Sequence, residues 1–192
     1  AMLLPGAAHA QERARQNDPR RINVIHRSWS FTQRGDTVEY AILGEDSYDR
    51  ETWVAIGNQG DVYGYQVTRT KDGKQVGERQ LQRFTNEPES ARMPLASAYE
   101  RQGYVAEVRH EEVAGQRLLA LLLRNSELGS FTFSEDVPMG GLIRSSDYRT
   151  GRQMTLVGFK RQATPPPSQQ LVEQAEAQRI EARIQAGGAA QR

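Results

Sequence analysis

Three histidines, His9, His26 and His110, supply all the imidazole in a 192-residue chain that contains no cysteine. A zinc centre needs three or four nitrogen, sulfur or carboxylate ligands converging on one point. Neither an H-x-H nor an H-x-x-x-H pair occurs, and His26 and His110 are far apart in the chain. The reading is of ordinary strand side chains and no metal centre. Without cysteine there is no disulfide, no thiolate nucleophile, no C-x-x-C redox pair and no cysteine-ligated zinc. Serines are plentiful, yet no G-x-S-x-G elbow presents one as a nucleophile. Ser130 in GSF and Ser145-Ser146 in RSSD read as hydroxyls on strands and turns. The phosphate-binding patterns G-x-x-x-x-G-K-[ST] and G-x-G-x-x-G are also missing, so no cofactor is expected.

Two groups of residues keep other chemistry open. The stretch Glu45-Asp46-Ser47-Tyr48-Asp49-Arg50-Glu51 is rich in oxygen ligands of the kind that hold calcium. Paired carboxylates there would also suit glycoside cleavage, one stabilising the oxocarbenium ion and the other donating a proton. It lacks EF-hand spacing and carries its own Arg50, so a solvated turn is the plainer reading. Trp29, Trp53, Tyr63 and Tyr65 are candidate ligand-binding residues, because aromatic faces stack on sugar C–H surfaces. Against this, aromatic residues on alternating strands ordinarily pack in the core.

The elements that must position these groups are strands. Apolar and polar residues alternate in RINVIHRSWSFTQ, which reads as the first strand. TVEYAIL and TWVAI follow, divided by the acidic loop. VYGYQVTRTKDGKQVGERQLQRF reads as a hairpin. A three-residue loop there, with Gly73 in a bulge, would set Thr70 opposite Lys74, Tyr65 opposite Arg79 and Tyr63 opposite Leu81. Pro88 and Pro94 frame a break in which LASAYERQ forms one or two helical turns. YVAEVRHEEVAGQRLLALLLRN reads as a hairpin about Ala114-Gly115. Its return run, Leu118 to Leu123, is continuously apolar and therefore buried on both faces. SFTFSED alternates again, and LIRSSDYRTGRQMTLVGFK closes with a hairpin about Thr150-Gly151. Roughly nine or ten short strands at this spacing predict an all-β fold, an antiparallel β-sandwich or barrel.

Composition bounds the rest. Lys and Arg (25) nearly balance Asp and Glu (24), for a net charge of +1. That argues against a domain dedicated to nucleic acid. Arginine greatly outnumbers lysine, and Arg69, Arg79, Arg83, Arg109, Arg117, Arg144 and Arg152 fall on expected strands, where they suit interfaces or surface ion pairs. The longest apolar run is far shorter than the ~20 residues of a spanning helix.

The opening AMLLPGAAHAQE ends its uncharged run in Ala8-His9-Ala10, the small-x-small pattern of a signal-peptidase site. Residues 1–10 are therefore expected to be the remnant of a signal peptide, and the protein to be periplasmic or secreted. Residues 11–21 are an expected disordered lead-in, 22–161 the β domain, 162–168 a Pro-rich linker and 169–192 a tail. The tail has helix formers, with Leu171, Ala177, Ile180 and Ile184 along one side as candidate partner-docking residues.

The functional expectation is a non-enzymatic interaction or assembly protein of the cell envelope or a secreted complex, engaging another protein through its tail or a sheet edge. The alternatives are a sandwich or barrel binding module for a glycan or small apolar ligand, and a carboxylate-dependent hydrolase.

Overall fold

The computed structural model describes residues 18–44, 47–86 and 93–162. Its first elements overturn an expectation. The segment read as the opening strand is a helix, α1, Val24–Ser30. Asn23 starts it, its side chain accepting the His26 N–H at 3.1 Å, as N-cap residues do. Ser30 and Thr32 hydroxyls donate back to the carbonyls of His26 and Ser28, both at 2.9 Å. The buried positions are Val24, Ser28 and Trp29, a spacing that a 3.6-residue period places on one face and a period of two does not. Order also begins before Ile22. Pro19–Arg21 make a 3-10 turn with Pro19 buried, and Asp18 accepts the Arg20 N–H at 3.0 Å.

The all-β expectation holds. Ten strands, β1 Thr37–Leu43, β2 Arg50–Gln59, β3 Val62–Lys71, β4 Lys74–Gln75, β5 Gln80–Thr85, β6 Val105–Val113, β7 Gln116–Asn125, β8 Gly129–Phe133, β9 Leu142–Asp147 and β10 Gln153–Lys160, join one antiparallel sheet. A second helix, α2 Leu95–Glu100, lies between β5 and β6, where one or two helical turns were expected. The strand order is β4-β3-β2-β1-β10-β9-β8-β7-β6, with β5 also pairing β3. Two meanders thus meet where the first strand pairs the last.

The sheet folds over its own core. Val38, Tyr40, Ala55, Tyr63 and Val67 share one buried cluster with Val113, Leu118, Ala120 and Met154 from the other meander. A second cluster joins Leu121, Leu123 and Phe133 to Val24, Leu95, Ala96 and Tyr104. Strand β7 therefore contributes to both clusters, as its unbroken apolar run requires. Full burial of each such leucine contributes ~1.5–3 kcal/mol.

The β3 hairpin departs from the expected register. Asp72 and Gly73 both have positive φ (51° and 74°), so a two-residue turn sets Lys71 opposite Lys74 and Thr70 opposite Gln75. The edge strand then breaks after Val76, with Gly77 at φ 71°, and resumes two residues out of step. Tyr65 faces Gln82 and Tyr63 faces Phe84, rather than Arg79 and Leu81. The turn chemistry selects the tight turn, and the break lets the aromatic residues pair. The second hairpin follows expectation, Val113 facing Gln116 across Ala114-Gly115.

Helix α1 is held down by the loop between β8 and β9. The Ser28 hydroxyl, fully buried, donates to the Val137 carbonyl at 2.5 Å and accepts the Gly140 N–H at 3.0 Å. Thr32 accepts the Met139 N–H at 2.8 Å. Met139, Gly140 and Gly141 all have positive φ, so the loop bends sharply around Trp29, which lies 3.1 Å from where a Gly140 Cβ would stand.

Two stability measurements follow. Ser28→Ala leaves a buried carbonyl and a buried N–H unpaired and should cost about 2–4 kcal/mol, read as a lower urea midpoint at unchanged slope. Ala114 occupies a left-handed position, φ 50°, that asparagine adopts more readily. Ala114→Asn should add about 1 kcal/mol and raise Tm by about 2–4 °C.

Candidate functional site

The four aromatic candidates are brought together, but inside the fold. Trp29 is 3 % exposed, Tyr63 8 % and Tyr65 9 %. Trp29 stacks on Phe84 with centroids 4.6 Å apart and meets Tyr63 at 5.4 Å and Tyr65 at 5.5 Å. Half-buried Trp53 lies 5.2 Å from Tyr65 and 5.3 Å from Tyr40. A stacking platform for a sugar needs open ring faces, and here the rings occupy one another's. Strand alternation carries the tyrosines inward from β3, and the helical face of α1 carries Trp29. Their contribution is packing.

The acidic stretch is likewise built into the structure where it is described. Glu51, 6 % exposed, accepts Trp53 Nε1–H at 2.6 Å and Arg69 Nε–H at 2.9 Å. The Arg69 guanidinium stands 4.9 Å over the Tyr48 ring. Burial, and after it the Glu51 charge, pushes the Tyr40 and Tyr65 phenols above their usual range. They are therefore neutral hydroxyls at any physiological pH. Asp49 accepts the Asp72 N–H at 3.1 Å, and Arg50 pairs Glu39 at 2.6 Å. Glu45 and Asp46 lie outside the described residues. Among the described residues no three His, Cys, Asp or Glu side chains gather to hold a metal.

His26 is structural. Its Nδ1 lies 2.8 Å from Asn86 Oδ1, and Asn86 returns a bond to the His26 carbonyl at 3.2 Å. The imidazole thereby ties α1 to the residue after β5. His110 is exposed on β6 opposite Leu119. Ser130 faces Ser146, and Phe131 faces Ser145, across β8 and β9. The docking candidates Leu171, Ala177, Ile180 and Ile184, and the signal-like residues 1–10, lie outside the described residues. Among the described residues no helix is long and apolar enough to cross a membrane.

The features that remain open are the sheet edges and the surface opposite the core. Strands β4, β5 and β6 each pair on one side only among the described residues, the two-residue β4 beside β5 on the edge of β3. Their chemistry differs. β6 carries Glu107, Arg109, His110, Glu111 and Glu112 in nine residues, a charged edge of the kind that repels strand addition. β5, QLQRFT, carries only Arg83, and its Leu81 is 63 % exposed. The Asn86 N–H bonds inward to the Asp61 carbonyl at 2.8 Å. The register from Val62↔Thr85 to Val67↔Gln80 is unbroken. Antiparallel residues alternate their backbone groups from side to side, so Leu81, Arg83 and Thr85 direct theirs away from β3. Beside them a shallow cleft runs along Ile56, Gly57, Val62, Gly64 and Arg83. Gly57 and Gly64 face each other there, and the missing side chains form the depression. Sequence reading located neither feature, because both depend on which strand ends up at the edge.

The buried ion pair gives a prediction of its own. Arg69→Met strands the Glu51 carboxylate and should cost about 2–4 kcal/mol, less than a fully enclosed pair because Arg69 is partly exposed. Adding Glu51→Gln should recover part of that loss, so a double-mutant cycle by urea unfolding would show strong coupling.

No protein-family pattern matches the chain, and no curated protein matches it in sequence. Several solved structures share features of its shape. MucB in complex with MucA(peri) aligns with a TM-score of 0.48 at 12 % identity, over 74 % of this chain and 56 % of that one. MucB alone gives 0.44 at 11 %, over 85 % and 62 %. The Pseudomonas aeruginosa MucA/MucB complex gives 0.46 at 12 %, over 77 % and 58 %. This chain thus spans less than two thirds of the length of each, and likeness at that level carries no argument about function.

Proposed function

We propose that this chain is a non-enzymatic interaction protein that pairs an extended segment of another protein along β5, and that it works outside the cytoplasm. The observation that carries the reading is the contrast between the two edges. One is dense in charge, while the other is nearly neutral, with an exposed leucine and outward backbone groups at Leu81, Arg83 and Thr85. Main-chain hydrogen bonds along such an edge supply affinity, and alternate side chains falling into the Ile56–Gly64 cleft supply specificity. An acidic residue on the partner would meet Arg83. Export rests on the Ala8-His9-Ala10 pattern.

Proline tests the edge with little damage to the fold. Arg83→Pro removes an outward N–H and no bond to β3, a position where edge strands tolerate proline. A photocrosslinking amino acid placed at position 81 in the producing cell should capture a partner peptide, identified by mass spectrometry as one extended segment. The same group at position 107 on β6 should not, and Arg83→Pro should abolish the adduct while leaving Tm within about 2 °C. Equal adducts at 81 and 107, or adducts unaffected by the proline, would reject β5 as the docking edge.

A further inference from the structure

On the far meander, a cleft of about 320 Å³ opens between the β8–β9 pair and the chain entering β6, lined by Tyr104, Leu128, Phe131, Ser145, Ser146, Asp147, Arg149 and Arg152. Its composition is that of a small-molecule site, an apolar floor with a few convergent polar groups. The floor is rigid. Tyr104 lies 6.0 Å from Phe131, and Tyr99 packs on both rings at 5.0 and 5.6 Å. The wall is tight because Gly129 lets β8 press on β9, where a Cβ would fall 1.9 Å from the Ser146 carbonyl oxygen. At the rim, Asp147 accepts the Arg149 N–H at 2.9 Å. That bond holds its carboxyl below the usual range, so it stays ionised. Arg152 is engaged with the Tyr48 hydroxyl at 3.2 Å. Arg149 is the rim cation turned outward, with 75 % of its side chain exposed and Asp147 no nearer than 3.9 Å.

We propose that this cleft binds a small molecule with a flat apolar ring and one anionic group, the ring lying on Phe131 and Leu128 over the buried Tyr104 and the anion meeting Arg149. Ser145, opposite Phe131 and so on the same face, offers its hydroxyl to a polar substituent between the two. The fixed Asp147 carboxylate disfavours a second negative charge, and the cleft's size suits a single ring system rather than a polypeptide. The site is separate from the β5 edge, and each stands or falls without the other.

The test uses the full chain, labelled with ¹⁵N, and three probes of one shape: 2-naphthoate, 2-naphthol and 2-naphthylmethylammonium. Naphthoate should shift the amides of Phe131 and Ser145 to Arg149, and should bind about tenfold more tightly than naphthol, the expected worth of one charge-assisted contact. The ammonium probe should bind no better than naphthol. Arg149→Ala should reduce naphthoate to the affinity of naphthol, with the rest of the spectrum unchanged because the side chain is exposed. Ser145→Trp should block all three, and naphthoate should then leave the Phe131 amide unmoved. Shifts scattered over the surface, no shifts at millimolar naphthoate, or undiminished binding to Arg149→Ala would each overturn the proposal.

Discussion

The pairing of the first strand with the last is the constraint from which the rest of the architecture follows. β1 runs against β10 from Thr37↔Lys160 to Leu43↔Gln153, with a bulge at Glu39/Tyr40. The bulge keeps Tyr40 opposite Leu156, and Val38, Tyr40 and Ile42 point inward along one face. The ends are fastened by a buried acid. Asp36 accepts the Gln33 N–H at 2.8 Å and the Gln162 N–H at 2.6 Å. Arg161 then reaches the carbonyls of Glu135 and Asp136 at 2.6 and 2.7 Å. Bringing together segments more than a hundred residues apart costs chain entropy before any contact rewards it, so this ladder is the expected slow step of folding. Without it there are two meanders with exposed apolar faces and no common core.

Joining the meanders sets the demand that the two helices meet. β7 has no polar side, so burying Leu118 and Ala120 against the first meander leaves Leu121 and Leu123 needing cover. α1 is placed to serve both clusters. Val24 enters the one with Leu121, and Trp29 enters the one with Tyr63. A seven-residue helix has little stability alone. It persists here because Ser28 and Thr32 bond to the buried loop at Val137–Gly140. A serine in its middle, ordinarily a poor helix former, and a threonine just past its end are thus what attach it.

What the sequence revealed and what it concealed divide along this line. Signals carried by neighbouring residues were legible: Gly-marked turns at Asp72-Gly73 and Ala114-Gly115, the doubly buried run of β7, and the all-β class. α1 was not, because over so short a span Ile25, Trp29 and Phe31 fit an alternating pattern, while the helical face of Val24, Ser28 and Trp29 includes a polar serine. The discriminating feature, Asn23 as a cap, weighs little alone. The β3 register was lost for a related reason. Gly73 announced a turn, but the break after Val76 is set by Tyr65 and Tyr63 seeking Gln82 and Phe84 across the sheet. The Tyr104–Arg149 cleft was beyond reach, since it draws on three separate segments that the β6–β7, β7–β8 and β8–β9 pairings bring together.

The polar groups singled out from sequence turned out to hold the molecule together. Glu51 is paired with Arg69 and accepts from Trp53, and His26 is bonded to Asn86. A histidine bridging helix and strand cannot swing to meet a substrate. Beside such side chains, an edge strand presents backbone donors and acceptors. An open sheet always has two edges, and an unguarded pair would let copies of the chain add to one another without limit. Charging β6 removes one end from that reaction. With β6 charged, strand addition at β5 would not seed a polymer, since edge-to-edge growth through β5 alone stops at a pair. The asymmetry between β5, with Arg83 alone, and β6, with five titratable residues, therefore limits edge-to-edge growth between copies.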